Sequence, residues 1–421
     1  MTNPALTHRP ELFCRDTCHV CASTLPPPVL DLGMQPLCDD LVPIGDARET
    51  VKYPIQISLC PVCLTAHQVY QVAKETLFPK SYHYRPRFTL DVLNGIKSLV
   101  AEHQAEFGTV SGKLACDIGC NDGSLLNYFN QAGARTCGIE PTDAALEATA
   151  GGHHVIQGYF NVDSATRLVA EVGYPDVISF TNVFAHIESL EDTITALKLM
   201  VHEGTIIVIE NHYLGSVLAT GQFDTFYHEH PRTYSYRSFE FIARSLGGEV
   251  LFASFPKRYG GNIRVCIGNF NRSNRHPKRE FSTVGLRDES DFPADLAQMQ
   301  KLVDLWLAET KQQLQKLKDE GLVLCGKGYP GRASILINLL GVTEDEHLCV
   351  YEKPESLKLD HYLPGTRIEI VSDQLWMGGA HHPPAILIWA WHIVDEVESY
   401  LREHGYRGRI FTPLPVLREL V

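Results

Sequence analysis

The sequence predicts an α/β chain in three parts: a small cysteine-rich lobe, a central doubly wound unit and a smaller α/β unit at the C-terminus. Three observations predict it. Two CxxC turns, Cys18-His-Val-Cys21 and Cys60-Pro-Val-Cys63, bracket the first lobe. A strand, glycine turn and helix follow at residues 113–126, and the same pattern returns at residues 322–340. Between them, apolar runs alternate with helical periods, as in an open sheet covered by helices.

Composition bounds the reading. A chain of 421 residues has room for two or three domains, here 1–75, 76–270 and 271–421. The formal net charge of -13 argues against a general nucleic-acid binder, which needs a basic face. No apolar run reaches membrane-spanning length and the N-terminus has no signal-peptide core, so a cytoplasmic protein is expected. Twelve cysteines scattered through so long a chain, four of them in CxxC pairs, fit a reducing compartment and a metal site better than a disulfide framework.

In the first lobe, two CxxC knuckles are how a chain offers four thiolates to a tetrahedral zinc. Cys18, Cys21, Cys60 and Cys63 are the expected ligands, with Cys14 and Cys38 as spares; two unrelated cysteine turns are the alternative. Four thiolates leave no open position, so the zinc is expected to be structural. A small β-rich lobe should fill the long gap between the pairs. Next, Ser81-Tyr-His-Tyr-Arg-Pro-Arg-Phe88 carries Tyr82 and Tyr84 and reads either as a lid with phenolic donors or as a surface turn.

The central unit opens on Asp117-Ile-Gly119-Cys-Asn121-Asp122-Gly123. Glycines there let a ligand approach the backbone, and Glu140 ends the following apolar run, where an acid can take both hydroxyls of an adenosine ribose. The spacing is shared with dinucleotide-binding and purely structural turns. Asp122 would repel a phosphate, which favours a cationic, phosphate-free ligand such as S-adenosylmethionine. Strands are expected at 176–180, 205–210 and 262–267. Asn182 and His186 follow the first of these, at the edge where ligands bind. The second delivers Asn211, His212 and Tyr213.

The densest chemistry is Gln222–Ser235, where Tyr227, His228, Glu229 and His230 are consecutive. General acid/base work is the expected role; metal binding and structural hydrogen bonding are the alternatives. Residues 271–292 read as a polar linker, and 295–318 as a long helix. Lys327 and Tyr329 sit in the second glycine turn, an anion cradle or a structural turn.

Taken together, the CxxC pairs, the Asp117–Gly123 turn with Ile139-Glu-Pro141, Asn182-Val-Phe-Ala-His186, the 222–230 run and Tyr259-Gly-Gly-Asn-Ile-Arg264 resemble one family over almost the whole chain. It is that of the zinc-containing sugar C-methyltransferases. The resemblance implies S-adenosylmethionine-dependent methyl transfer to C-3 of a nucleotide-linked 4-keto-6-deoxy sugar. It also implies a zinc lobe, a Rossmann-like cofactor domain and a C-terminal Rossmann-like half that helps hold the nucleotide sugar. His230 then corresponds to the general base, with Tyr227, Glu229 and His186 on the other active-site positions and Tyr82 or Tyr84 facing the substrate. Substrate contacts are expected from Asn211, Tyr213, Gly260, Gly261, Asn262, Arg264, Lys327 and Tyr329. A monomer is expected, with dTDP ahead of GDP or CDP as the nucleotide. Tyr351-Glu-Lys-Pro-Glu355 replaces the family's aspartate-arginine pattern, and Tyr259 and Asn262 stand where histidine and serine are usual; these departures bear on the nucleotide and the C-3 substituent. An O- or N-methyltransferase of small molecules and a catalytically inactive nucleotide-sugar binder are the other readings.

Overall fold

The computed structural model describes residues 11–80, 84–270, 276, 284–377 and 382–420. Tyr82 and much of the expected linker lie outside the described residues.

The N-terminal lobe holds strands β1 (Leu12–Cys14), β2 (Leu30–Pro36), β3 (Val42–Pro43), β4 (Lys52–Leu59), β5 (Ala66–Gln68) and β6 (Tyr70–Val72). Strands β2, β4 and β5 form an antiparallel sheet around buried Leu30, Leu32, Ile55 and Ile57, which is the β-rich filling expected between the CxxC pairs.

The central unit contributes β7 (Leu114–Ile118), β8 (Arg135–Glu140), β9 (His154–Gln157), β10 (Val177–Thr181), β11 (Ile206–His212), β12 (Arg232–Thr233), β13 (Glu249–Ser254) and β14 (Asn262–Gly268). Its sheet runs β13-β14-β11-β10-β7-β8-β9. Strands β7 to β11 are parallel, while β14 is antiparallel to both neighbours. The connection from β13 to β14 is too short for a crossover, so the chain can only turn back on itself. Strand order reverses between β7 and β10, and a ligand crevice opens at their carboxyl ends.

The long helix Phe292–Asp319 begins three residues before the expected start and buries the anticipated face: Leu296, Met299, Val303, Trp306 and Leu317. Beyond it lie β15 (Leu324–Lys327), β16 (His347–Glu352), β17 (His361–Tyr362), β18 (Glu369–Ser372), β19 (Ala385–Ile388), β20 (Arg409–Thr412) and β21 (Arg418–Leu420). This sheet runs β21-β20-β19-β15-β16-β18-β17-β3 and reverses its order between β15 and β19.

Two strands cross between sections of the chain. The lobe's β3 pairs with β17 of the last sheet, and β12 of the central unit pairs with β5 of the lobe. No helix among the described residues is long and apolar enough to cross a membrane.

Candidate active site and metal centre

The carboxyl ends of the central and C-terminal sheets face one cavity of about 1010 Å³. On the central side, Gly119 turns the chain at φ +70°, where a Cβ would lie 2.6 Å from the Val183 side chain. Glu140, the last residue of β8, accepts from the Asn121 N–H (3.0 Å) and the Thr142 N–H (2.9 Å). Asp117 is buried, which pushes its pKa up to about 7, and it accepts from the Ser179 hydroxyl at 2.6 Å.

Asp117, Gly119, Asn121, Glu140 and Asn182 line the cavity; Asp122 and Gly123 do not. Asp122 is drawn inward by the Ser124 N–H (3.1 Å) and hydroxyl (2.6 Å) at the start of the helix Ser124–Gln131. Its other oxygen faces Arg87 at 3.4 Å. Arg87 and Arg85 also pair with Glu147, so the segment carrying Tyr84 is strapped across the turn. The remaining wall fits S-adenosylmethionine. Asn121 Oδ1 and Thr181 Oγ1 are buried without partners on the cavity that the Glu140 side chain also lines. That set suits the hydroxyls and amine of a donor-rich, positively charged ligand and would reject a phosphate.

The acid/base groups sit on the adjoining wall. His230 Nδ1 donates to the Thr225 carbonyl (3.1 Å), which leaves the Nε2 lone pair to accept from the Tyr227 hydroxyl at 3.0 Å. Burial holds His230 well below the usual imidazole range, and the neighbouring His186 and His212 add to the shift. Their rings stand 4.8 and 5.1 Å from it. His186 Nδ1 donates to the Glu229 carbonyl at 2.6 Å, and burial lowers its pKa to about 4. The Tyr227 phenol is pushed well up by burial and then by the Glu229 charge. Glu229 accepts from the Cys38 thiol at 2.8 Å. Tyr84 lines the same cavity, its hydroxyl 3.5 Å from that of Tyr259.

Several expected substrate residues lie elsewhere. Asn211, Tyr213, Gly260, Gly261, Asn262 and Arg264 are not among the lining residues. The reason is a buried carboxylate. Glu210, fully enclosed in β11, must be neutralised, and Arg264 (2.7 Å), Asn262 (2.9 Å) and Arg258 (3.5 Å) serve it. Burial alone would raise the Glu210 pKa; Arg264 and Arg258 outweigh it and hold the group below the usual range. Tyr213 donates to Glu289 at 3.0 Å, while Gly260 and Gly261 give room to Gln222 and Ser216. Lys327 reaches the cavity wall, but its Nζ is held by buried Asp373 at 2.7 Å. Tyr329 lines the cavity and donates to the Cys38 carbonyl at 3.0 Å.

Sequence reasoning brought His212 to this edge without giving it a role and did not single out Cys38, Arg332 or His392 for the site, yet all four line the cavity. Alternation along a strand was the available signal for His212, since it points to the opposite face from Asn211 and Tyr213.

At the other end of the lobe, the sulfurs of Cys18, Cys21, Cys60 and Cys63 lie within 4.8 Å of one another. Cys18–Cys63 and Cys21–Cys60 are each 3.4 Å apart, too long for disulfides and compatible with four ligands on one tetrahedral ion at Zn–S of about 2.3 Å. The Val20 N–H points at Cys18 Sγ (3.3 Å), and those of Val62 and Cys63 at Cys60 Sγ (3.4 Å each), as thiolates require. The residues fit zinc.

Three family models match along the chain: "Putative zinc binding domain" over residues 18–78, "Methyltransferase domain" over 96–251 and "C-methyltransferase C-terminal domain" over 257–415. The C-methyltransferase NovU of Streptomyces niveus is 25% identical over 410 residues, covering 95% of this chain and 96% of the relative. Among solved structures, the magnesium protoporphyrin IX methyltransferase ChlM of Synechocystis with bound SAH is 17% identical, with a TM-score of 0.34 over 42% of this chain and 83% of that one. The mitomycin 7-O-methyltransferase MmcR is 18% identical, with a TM-score of 0.33 over 42% of this chain and 53% of that one.

A methyltransferase-type crevice joined to a thiolate zinc lobe defines the class: a zinc-containing, S-adenosylmethionine-dependent methyltransferase. With the matched domains in this order and a relative aligned over nearly its full length, the chain is an S-adenosylmethionine-dependent C-methyltransferase of the three-part kind that its sequence resembles.

Proposed function

We propose that the protein methylates C-3 of a nucleotide-linked 4-keto-6-deoxy sugar. The observation that carries the reading is the His230 Nε2 lone pair held 3.0 Å from the Tyr227 hydroxyl, on a cavity wall shared with the cofactor turn. A C–H beside a ketone is acidic because the charge left behind spreads onto oxygen. Catalysis needs a base at that proton and a donor at the oxygen.

His230, uncharged at neutral pH, takes the C-3 proton on Nε2, and the C–H electrons become the C-3/C-4 double bond of an enolate. The C-4 oxygen gives the Tyr227 hydroxyl a new acceptor and so releases Nε2 for this task. Glu229, anchored by the Cys38 thiol, keeps the Tyr227 phenol protonated, and His186, whose Nδ1–H is spent on the Glu229 carbonyl, offers its Nε2 lone pair as a second acceptor or proton relay. Bound S-adenosylmethionine supplies the electrophilic methyl group that C-3 then takes. Residues 1–75 carry the zinc, 76–270 the cofactor and 271–421 the nucleotide sugar, in the cytoplasm.

The test is incubation with methyl-labelled cofactor and a panel of nucleotide 4-keto-6-deoxy sugars, with NMR of the product. The carbon bearing the new methyl should carry no proton. His230→Asn should keep cofactor affinity while losing both methylation and solvent deuterium exchange at C-3; near-normal turnover would remove His230 from the role.

A further inference from the structure

We infer that Glu352 binds the ribose diol of the substrate's nucleoside, so that this protein takes a ribonucleoside diphosphate sugar in preference to a 2′-deoxyribonucleoside one. The inference rests on the reading of the substrate as a nucleotide-linked sugar and narrows it, against the expectation of dTDP.

The C-terminal half repeats the cofactor crevice element by element. Gly119 directly follows β7 and Gly328 directly follows β15, with φ of +70° and +72°. The Gly119 N–H donates to the Ile139 carbonyl (2.7 Å) and the Gly328 N–H to the Tyr351 carbonyl (3.0 Å), each the penultimate residue of the next strand. The last residue of that strand is a glutamate in both halves. Glu140 accepts the Asn121 N–H of its turn at 3.0 Å, and Glu352 accepts the Tyr329 N–H of its own at 2.6 Å. On the other side, a Cβ at either glycine would meet the residue two places past the end of the neighbouring parallel strand: Val183 after β10, Ala390 after β19. A short 3-10 turn follows each, Phe184–His186 and Trp391–Ile393, and sets a histidine on the cavity. Both crevices lie where their sheet reverses strand order.

An acid at the end of the second strand of such a unit reads vicinal ribose hydroxyls. A carboxylate has about four acceptor sites, and the turn N–H takes one of them at Glu352. Lys353 and Lys358 line the cavity beside the second turn, where a diphosphate would lie, and Glu355, Glu396 and Glu403 line the same cavity. A 2′-deoxy sugar offers Glu352 one hydroxyl in place of two and leaves a desolvated carboxylate oxygen short of a donor.

The test is calorimetric binding of GDP, CDP and UDP, each beside its 2′-deoxy counterpart, and of dTDP, to the full chain with its zinc and S-adenosylhomocysteine. At least one ribonucleotide should bind about tenfold or more tighter than its deoxy form. Glu352→Gln should reduce that ratio below about threefold while S-adenosylhomocysteine affinity and the circular dichroism spectrum stay unchanged. Equal affinity for ribo and deoxy forms, or tightest binding of dTDP, overturns the inference and leaves the nucleotide-sugar reading standing. A preference that survives Glu352→Gln overturns the role of that residue. If no diphosphate binds, the nucleotide-sugar reading fails and the inference with it.

Discussion

At the residue scale, the site relies on burying imidazoles so that they stay uncharged. Burial lowers the pKa of His186 and His228 to about 4 and of His392 to about 3, the last with help from Arg332. Each is depressed from an unfolded value near 6.5, so the unfolded chain takes up protons that the native one refuses. The resulting stability is fully present above about pH 6.5 and is lost as pH falls towards about 4, at up to about 1.4 kcal/mol per pH unit per histidine. His228 donates to the Tyr53 carbonyl at 3.2 Å and does not line the cavity, so it separates this effect from catalysis. His228→Gln should flatten the dependence of the urea midpoint on pH between 6.5 and 4.5; an unchanged slope would clear His228 of responsibility. Tyr227→Phe should lower kcat by roughly 10²–10³ while cofactor affinity holds, the usual cost of one lost donor at a developing oxyanion, measured by steady-state kinetics beside calorimetry. The Tyr227–His230 run was legible because titratable groups are dense there. Cys38 was not, since a cysteine near two CxxC pairs reads as a spare ligand, and only folding brings its thiol to Glu229.

Among elements, the strand that decides most about the site belongs to the zinc lobe. Gln68, at the end of β5, donates to the Tyr227 carbonyl (2.6 Å) and the His230 carbonyl (3.0 Å), and its own N–H donates to the Pro231 carbonyl (3.0 Å). Strand β12 continues from that loop and completes the lobe's sheet, while the Ser235 hydroxyl donates to the Cys63 carbonyl at 2.8 Å. The ligand-bearing knuckles and the acid/base loop are thus one hydrogen-bonded unit. Removing zinc with a chelator from the intact protein should abolish methyl transfer and leave S-adenosylhomocysteine binding within about twofold, read by calorimetry and restored on adding zinc. Gln68→Ala should act in the same direction, lowering kcat about tenfold as two loop carbonyls lose their donors. Helices and strands were largely legible because periodicity reports burial: the helix expected at 295–318 runs from Phe292 to Asp319, and the strands expected in the central unit agree to within two residues. Asn262 and Arg264 on β14 drew a functional reading because polar groups on a buried strand attract one, and the structure places them off the cavity. Here they neutralise Glu210, a debt created by the sheet itself.

Over the whole molecule, the lobe lends β3 to the C-terminal sheet and the central unit lends β12 to the lobe's sheet, and that sharing left no mark in the sequence. Pairs as short as β3 with β17 and β12 with β5 have no periodicity to detect, and they form only because distant sections already lie together. The same holds for the buried ion pair that clasps the C-terminal half to the acid/base loop. Arg332, just ahead of the helix Ala333–Leu340, pairs with both oxygens of Asp224 (2.9 and 2.7 Å) and donates to Gln222 Oε1 (3.1 Å) and Thr225 Oγ1 (2.6 Å). The Trp391 indole N–H donates to Asp224 at 2.7 Å, and the guanidinium lies 4.8 Å from that ring's centre. Removing one partner of such a pair leaves the other charge buried without compensation, at a cost of about 3–5 kcal/mol. Asp224→Ala should therefore destabilise the protein by that amount, read from the urea midpoint. Because the Thr225 carbonyl fixes the tautomer of His230, kcat should fall further than the folded fraction accounts for, while cofactor affinity per folded molecule stays the same. Asp224→Asn keeps the shape and one acceptor, so it should recover part of the stability. A variant that loses stability but keeps full kcat per folded molecule would make the clasp purely structural and free the His230 loop from the C-terminal half.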